Sequence, residues 1–210
     1  MPLFYQQDIN ETTRLGVWKI EEGEDFFLRS VPLKQDITHP HKRLQHLAGR
    51  YLLRFLFPDF PNEEIEIADT RKPFLPYEQY HFSISHCGNY AAALVSSTAR
   101  VGIDIENVTP RVERIQHKFL HPEELLFVHT HQPDHLIPLL TLLWSTKEAM
   151  FKWWGRGDVD FSEVLRINPF QFSNEGIMPA IFTKEEIQIP LTIHYQMPEG
   201  LSLAWVVGEG

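Results

Sequence analysis

The sequence predicts an α+β protein made of two similar halves, about residues 1–99 and 100–210. Three observations carry the prediction. Several short segments alternate between apolar and polar residues, as half-buried strands do. Two longer segments, one in each half, repeat apolar residues at helical spacing. Finally, Arg14-Leu15-Gly16-Val17-Trp18 is matched by Arg100-Val101-Gly102-Ile103-Asp104, and each run opens a stretch that passes through a helix to a closing hairpin. The two halves are expected to pack tightly, with ligands at the interface between them.

In chain order, residues 14–20 alternate as a strand. Residues 41–57 place Leu44, Leu47, Ala48, Tyr51, Leu52 and Phe55 on one helical face and stop before Pro58. Residues 63–68 alternate as a strand, and 71–76 form an extended or turn segment with a proline near each end. Residues 81–85 and 90–97 read as two strands joined by a Gly-Asn turn. A strand is predicted at 100–106 and a helix at 122–129, with Pro122 in its first turn. The longest helical pattern, 134–154, stops at Gly155. Strands follow at 161–167, 191–197 and 201–207, the last two joined by Pro198-Glu199-Gly200.

Hydrophobic residues make up 43% of the chain and charged residues 22%, which is the balance of a soluble globular protein. Fifteen Phe and five Trp supply enough core that neither a metal nor a disulfide is needed to hold it. The single Cys87 excludes an internal disulfide and fits a reducing compartment. The N-terminus lacks a basic, then apolar, signal pattern, and no apolar window is long enough to span a bilayer. The expectation is a cytoplasmic protein without a membrane partner. A formal net charge of −9 argues against a nucleic-acid partner, which calls for a basic surface.

Asp104 and Glu106 stand two apart on a strand and therefore share a face. Like charges that close repel, and a hard cation with oxygen ligands would resolve the repulsion. An exposed strand face would account for the pair equally well. On the long helix, Ser145, Glu148 and Lys152 fall within roughly 60° of one another, since each residue turns about 100°. A solvated ion pair one turn apart explains Glu148 and Lys152 as readily as a site does. Lys147 falls inside the apolar arc, where it either snorkels or faces a buried anion. His86 ends a predicted strand before a turn, where a side chain and backbone N–H groups can meet phosphate oxygens. A loop histidine there, and a surface lysine at Lys72, are the plain alternatives.

Together these residues have an order and spacing that single features lack. Gly102-Ile103-Asp104-Ile105-Glu106, followed by Trp144-Ser145-Thr146-Lys147-Glu148-Ala149-Met150-Phe151-Lys152, resembles the signature of the 4'-phosphopantetheinyl transferases. Lys72-Pro73 and Phe82-Ser83-Ile84-Ser85-His86 resemble upstream motifs of the Sfp-type, pseudo-dimeric branch, and Arg43 resembles its coenzyme A-binding arginine. The sequence departs from that branch in carrying Arg71 where a glycine usually precedes Lys-Pro. It also carries Trp18 where the repeat would place a counterpart of Asp104, so one metal site is expected.

The resemblance implies an Mg²⁺-dependent enzyme that moves the phosphopantetheine arm of coenzyme A onto a serine of an apo acyl- or peptidyl-carrier protein, releasing 3',5'-ADP. It implies Asp104, Glu106 and Glu148 as metal ligands and Glu148, Lys152 and His86 as catalytic residues. Coenzyme A contacts are implied for Arg43, Lys72, Ser85, His86, Lys147 and Lys152, whereas Ser145 is read as structural. An inactive relative that only binds coenzyme A or a carrier protein is an alternative, although it would not need Asp104, Glu148 and Lys152 together. A zinc hydrolase using His129, His131 and His135 is a weaker one, since those spacings do not give the i, i+4 zinc pair of a helix. The chain is about twice the length expected of the short, trimeric holo-acyl-carrier-protein synthases, so a monomer is expected.

Overall fold

The computed structural model describes residues 2–33 and 36–208. The chain is α+β, as the pattern predicts, and forms two compact units, one running up to Val101 and the other Gly102–Gly208.

The first unit opens with strands Leu3–Asn10 (β1) and Thr13–Lys19 (β2), then a short helix Glu24–Leu28 (α1). The long helix Pro40–Leu56 (α2) follows; Pro40 occupies its first turn and the ring of His39 accepts from the Lys42 N–H. It ends at Phe57, whose extended backbone precedes Pro58. Residues 63–68, which alternate as a strand would, instead give a turn of 3₁₀ helix at Asn62–Glu64 and only a two-residue strand, Glu66–Ile67 (β3). Asn62 is buried and its amide donates to the Arg50 carbonyl, which ties the start of this segment to α2. β3 pairs with Pro73–Phe74 (β4).

Strands His81–Cys87 (β5) and Tyr90–Ser96 (β6) are joined by Gly88-Asn89, with Gly88 at φ 48°. The antiparallel sheet runs β1-β2-β6-β5. Leu47, Ala48, Leu52, Leu53 and Leu56 of α2 form a core with Trp18, Phe82, Ala91, Ala93 and Val95 of the sheet.

The second sheet runs Arg100–Asn107 (β7), Leu201–Gly208 (β11), Ile187–Gln196 (β10), Glu175–Lys184 (β9) and Leu165–Ile167 (β8). Between β7 and β8 lie a 3₁₀ segment, Pro110–Lys118, and two helices, Pro122–His129 (α3) and Pro133–Trp154 (α4). Gly155 ends α4 in the left-handed conformation, φ 69°. Leu139, Leu143, Met150 and Trp153 of α4 bury against Phe182, Ile193 and Val206. No helix among the described residues is long and apolar enough to cross a membrane.

Candidate functional site

Gly102, Asp104 and Glu106 stand at alternate positions of β7 and share one face. That face lies against α4. A Cβ on Gly102 would come 2.0 Å from the Ala149 carbonyl oxygen and 2.7 Å from the Trp153 nitrogen, so only glycine lets strand and helix approach this closely. The approach fixes the register of the polar pairs. Lys152 Nζ lies 2.7 Å from Asp104 Oδ1, and Trp144 Nε1 donates to Glu106 Oε1 at 3.4 Å. Glu148 sits one turn from each of Trp144 and Lys152, on the same stripe of α4.

Asp104 is only 3% exposed. Glu106 has its pKa pushed up to about 7, first by burial and then by the charge of Asp104, while Trp144 and Lys152 oppose the shift. Glu148 is raised too, by burial and then by Asp104, with Lys152 opposing. The three expected metal ligands therefore crowd one another electrostatically. As the side chains stand, no three His, Cys, Asp or Glu among the described residues converge to hold an ion. The Lys152 ammonium lies against Asp104 and supplies positive charge there. An all-oxygen set of mutually repelling carboxylates fits a hard cation, which would relieve the raised pKa values of Glu106 and Glu148.

Lys147 departs from its expected contact with coenzyme A. It is fully buried, and its ammonium donates to the Phe119 carbonyl (2.7 Å), the Phe161 carbonyl (2.9 Å) and Glu124 Oε2 (2.6 Å). An ammonium has three donors, so none remains for a ligand. Glu124 in turn accepts from the His121 N–H at 2.8 Å and, through Oε1, from the Ile167 N–H at 2.8 Å. This pair ties the start of α3, the middle of α4 and β8 together. Glu124 was not among the residues the sequence singled out. Its signal was the capping position three residues after His121, with Pro122 between them. Gly102 and Trp144 were visible in the motif, but their roles, close approach and a hydrogen bond to Glu106, emerge only from the strand–helix register.

The remaining expected residues lie in the first unit. His86 is exposed and Ser85 buried on adjacent positions of β5, hence on opposite faces. Lys72, just before β4, is half-buried; burial, with a smaller effect from Arg100, pushes its pKa down to about 8. Arg71 beside it adopts φ 65°, the left-handed conformation that explains why glycine is favoured there. Arg43 is engaged within the fold: its Nε and Nη2 each lie 2.8 Å from Glu24 Oε1, and Nη1 donates to the Ile37 carbonyl.

The same strand–helix relation occurs in the first unit with different side chains. A Cβ on Gly16 of β2 would meet Leu52 and Leu56, one turn apart on α2, as Gly102 meets Ala149 and Trp153, one turn apart on α4. Trp18, two residues after Gly16, packs its ring on Tyr51 and Phe55, with centroids 5.0 and 5.5 Å away. Tyr51 and Phe55 immediately precede Leu52 and Leu56, just as Glu148 and Lys152 immediately precede Ala149 and Trp153. An aromatic cluster thus occupies in one unit the place of the carboxylate–lysine cluster in the other.

Comparison with known proteins agrees with this geometry. Residues 100–168, which carry β7, α3 and α4, match the family model described as the 4'-phosphopantetheinyl transferase superfamily. The 4'-phosphopantetheinyl transferase AcpT of Escherichia coli O157:H7 is 30% identical over 65% of this chain and 72% of its own length. The chain belongs to the 4'-phosphopantetheinyl transferase superfamily. It is similar as well to the 4'-phosphopantetheinyl transferase gsp of Aneurinibacillus migulanus, 28% identical over 83% of this chain and 69% of that protein. A 4'-phosphopantetheinyl transferase of Bacillus subtilis is 36% identical over 43% of this chain and 41% of its own length. As a member of this superfamily the chain is an enzyme, and Asp104, Glu148 and Lys152 all fall inside the matched segment.

Proposed function

We propose that the chain transfers the 4'-phosphopantetheine arm of coenzyme A to a serine hydroxyl of an apo acyl- or peptidyl-carrier protein. The observation that carries the proposal is the facing of Asp104 and Glu106 on β7 with Trp144, Glu148 and Lys152 on α4, in a family whose members are named for this transfer.

In the proposed reaction, the carrier serine oxygen attacks the β-phosphorus of the coenzyme A pyrophosphate. The serine O–P bond forms, the P–O bond to the nucleotide breaks, and 3',5'-ADP leaves. The serine proton passes to a carboxylate, for which Glu148 is the candidate: its raised pKa brings it toward the operating pH, where a general base is most effective. Lys152, held at Asp104, places a fixed positive charge beside the carboxylates and would offset charge developing on the leaving pyrophosphate. Mg²⁺ would be held by Asp104, Glu106 and Glu148, and when bound it draws electron density from phosphoryl oxygens. Lys72, His86 and Arg43 are proposed for the nucleotide and phosphates, Ser85 for a supporting contact, and Lys147 for the framework behind Glu148.

Mass spectrometry tests the reading directly. An apo-carrier protein incubated with the chain, coenzyme A and Mg²⁺ should gain one phosphopantetheine unit, and EDTA should prevent the gain. No gain on several unrelated carriers would sink the transfer reading in favour of an inactive binder.

A further inference from the structure

The hydrogen bond from Trp144 Nε1 to Glu106 Oε1 is 3.4 Å long, near the limit for such a bond, so a small shift of the indole would break it. Whatever holds that ring in place therefore bears on the site. Trp144 is only half-buried, and with Ile115, Lys118, Val159 and Phe161 it lines a cavity of about 370 Å³ in the second unit. A ring that borders a void is confined only by the neighbours it does have.

Two phenylalanine rings flank the indole. Phe119 meets it edge to face, with centroids 5.1 Å apart, and Phe161 stacks on it at 5.8 Å, 30° from parallel. Both are pinned through their backbones, because the Lys147 ammonium donates to the Phe119 carbonyl at 2.7 Å and to the Phe161 carbonyl at 2.9 Å. The turn that presents Phe161 is fixed separately: Asp160 Oδ1 accepts from the Ser162 and Glu163 N–H groups and from the Ser162 hydroxyl. The Phe161 ring also packs on Phe151, with centroids 5.4 Å apart. Phe151 stands about two turns along α4 from Trp144, so one ring braces both. Phe161 itself lies outside the motif residues at 102–106 and 144–152.

We propose that Phe161 is a positioning residue: it holds the Trp144 indole where its N–H fixes one oxygen of Glu106, leaving the remaining lone pairs of that carboxylate for a hard cation. The proposal rests on the reading of Asp104, Glu106 and Glu148 as cation ligands. Without the Phe161 ring, the indole can turn into the cavity and release Glu106 to other rotamers. Each ion that binds must then order the carboxylate again, at a cost in affinity.

NMR on the isotope-labelled full chain reads the first link without metal or substrate. The chain has five Trp, and Trp144→Phe assigns the Trp144 indole N–H resonance. Glu106→Gln should move that resonance, since a carboxylate acceptor becomes a neutral amide. In a Phe161→Ala background the same substitution should leave it still, and Phe161→Tyr, which keeps the ring, should restore the response. The second link is read with Mn²⁺ alone, a cation suited to carboxylates whose free form is counted by electron paramagnetic resonance. Phe161→Ala should weaken Mn²⁺ binding about tenfold, and Phe161→Tyr should not. A role confined to packing would lower the melting temperature of Phe161→Ala and move neither reading. Should Phe161→Ala fail to fold by circular dichroism, Phe161→Leu, which keeps apolar volume and loses the flat face, carries the same expectations. The proposal is overturned if the indole ignores Glu106→Gln in wild type, if it still responds without the Phe161 ring, or if wild type binds Mn²⁺ no better than the variant. Transfer is read apart, by mass spectrometry of a carrier protein. A wild type that passes both tests yet modifies no carrier counts against the transfer function and not against Phe161.

Discussion

The Cα of Gly102 faces the carbonyl of Ala149 so closely that a methyl group would sit 2.0 Å from that oxygen. The obstacle is helix backbone, which cannot swing aside as a side chain can. Gly102→Ala should therefore push β7 and α4 apart and cost about 3 kcal/mol or more, at or beyond the usual range for overpacking. Gly16 makes the matching approach in the first unit, but there the nearest atoms are leucine methyl carbons at 3.2 Å. Gly16→Ala should cost markedly less. Denaturant unfolding of the two variants measures the difference; equal costs would mean that the Ala149 contact does not set the strand–helix spacing.

Arg71 holds a left-handed backbone, φ 65°, in the turn where its N–H donates to the Ala68 carbonyl at 2.8 Å. A side chain there costs about 1 kcal/mol relative to glycine, partly offset by glycine's greater freedom in the unfolded chain. Arg71→Gly should leave the turn in place and raise stability by a few tenths to about 1 kcal/mol. A loss of stability in denaturant titration would show that the Arg71 side chain contributes more than its backbone strain removes.

The strongest periodic segments were legible without coordinates. Both long helices, the Gly88-Asn89 hairpin and the strand bearing Asp104 and Glu106 followed from spacing and from punctuation by Pro58, Gly88 and Gly155. Strand β9 was not legible, because Gly176 and Pro179 interrupt it and its first three residues are exposed. Strand β1 alternates too weakly, and α1 is too short for a periodic signal. Residues 63–68 misled because Ile65 and Ile67 alternate with Glu64 and Glu66, yet the segment is largely exposed and forms a 3₁₀ turn and only a two-residue strand. At the site, the motif singled out a set of residues but not which of them touch. Lys147 looked like a ligand group because it sits in the signature, and only its burial against Glu124 distinguishes a framework lysine from a binding one.

Lys147→Met tests that distinction. It would leave Glu124 buried beside an apolar side chain, and breaking one partner of such a pair typically costs about 3–5 kcal/mol. The double variant with Glu124→Leu should not recover the loss, because the His121 and Ile167 N–H groups would then lose their acceptor. Folded Lys147→Met at low temperature should keep its KM for coenzyme A. A raised KM with unchanged stability would return Lys147 to the binding site.

Lys72 gives the clearest pH dependence. Its pKa stands near 8 in the free protein, lowered by burial and then by Arg100, so it is charged below that pH and neutral above it. If Lys72 holds a phosphate, binding favours the charged form. Affinity should then be flat up to about pH 8 and should fall above it, by at most about tenfold per pH unit, because each binding event must take up a proton. The nucleotide 3',5'-ADP is the cleaner probe, since it lacks the titrating thiol of coenzyme A. Titration calorimetry between pH 7 and 9.5 should show proton uptake rising through that range. Lys72→Arg keeps its charge throughout and should flatten the profile. A wild-type profile as flat as that of Lys72→Arg would mean that the anion does not sense Lys72.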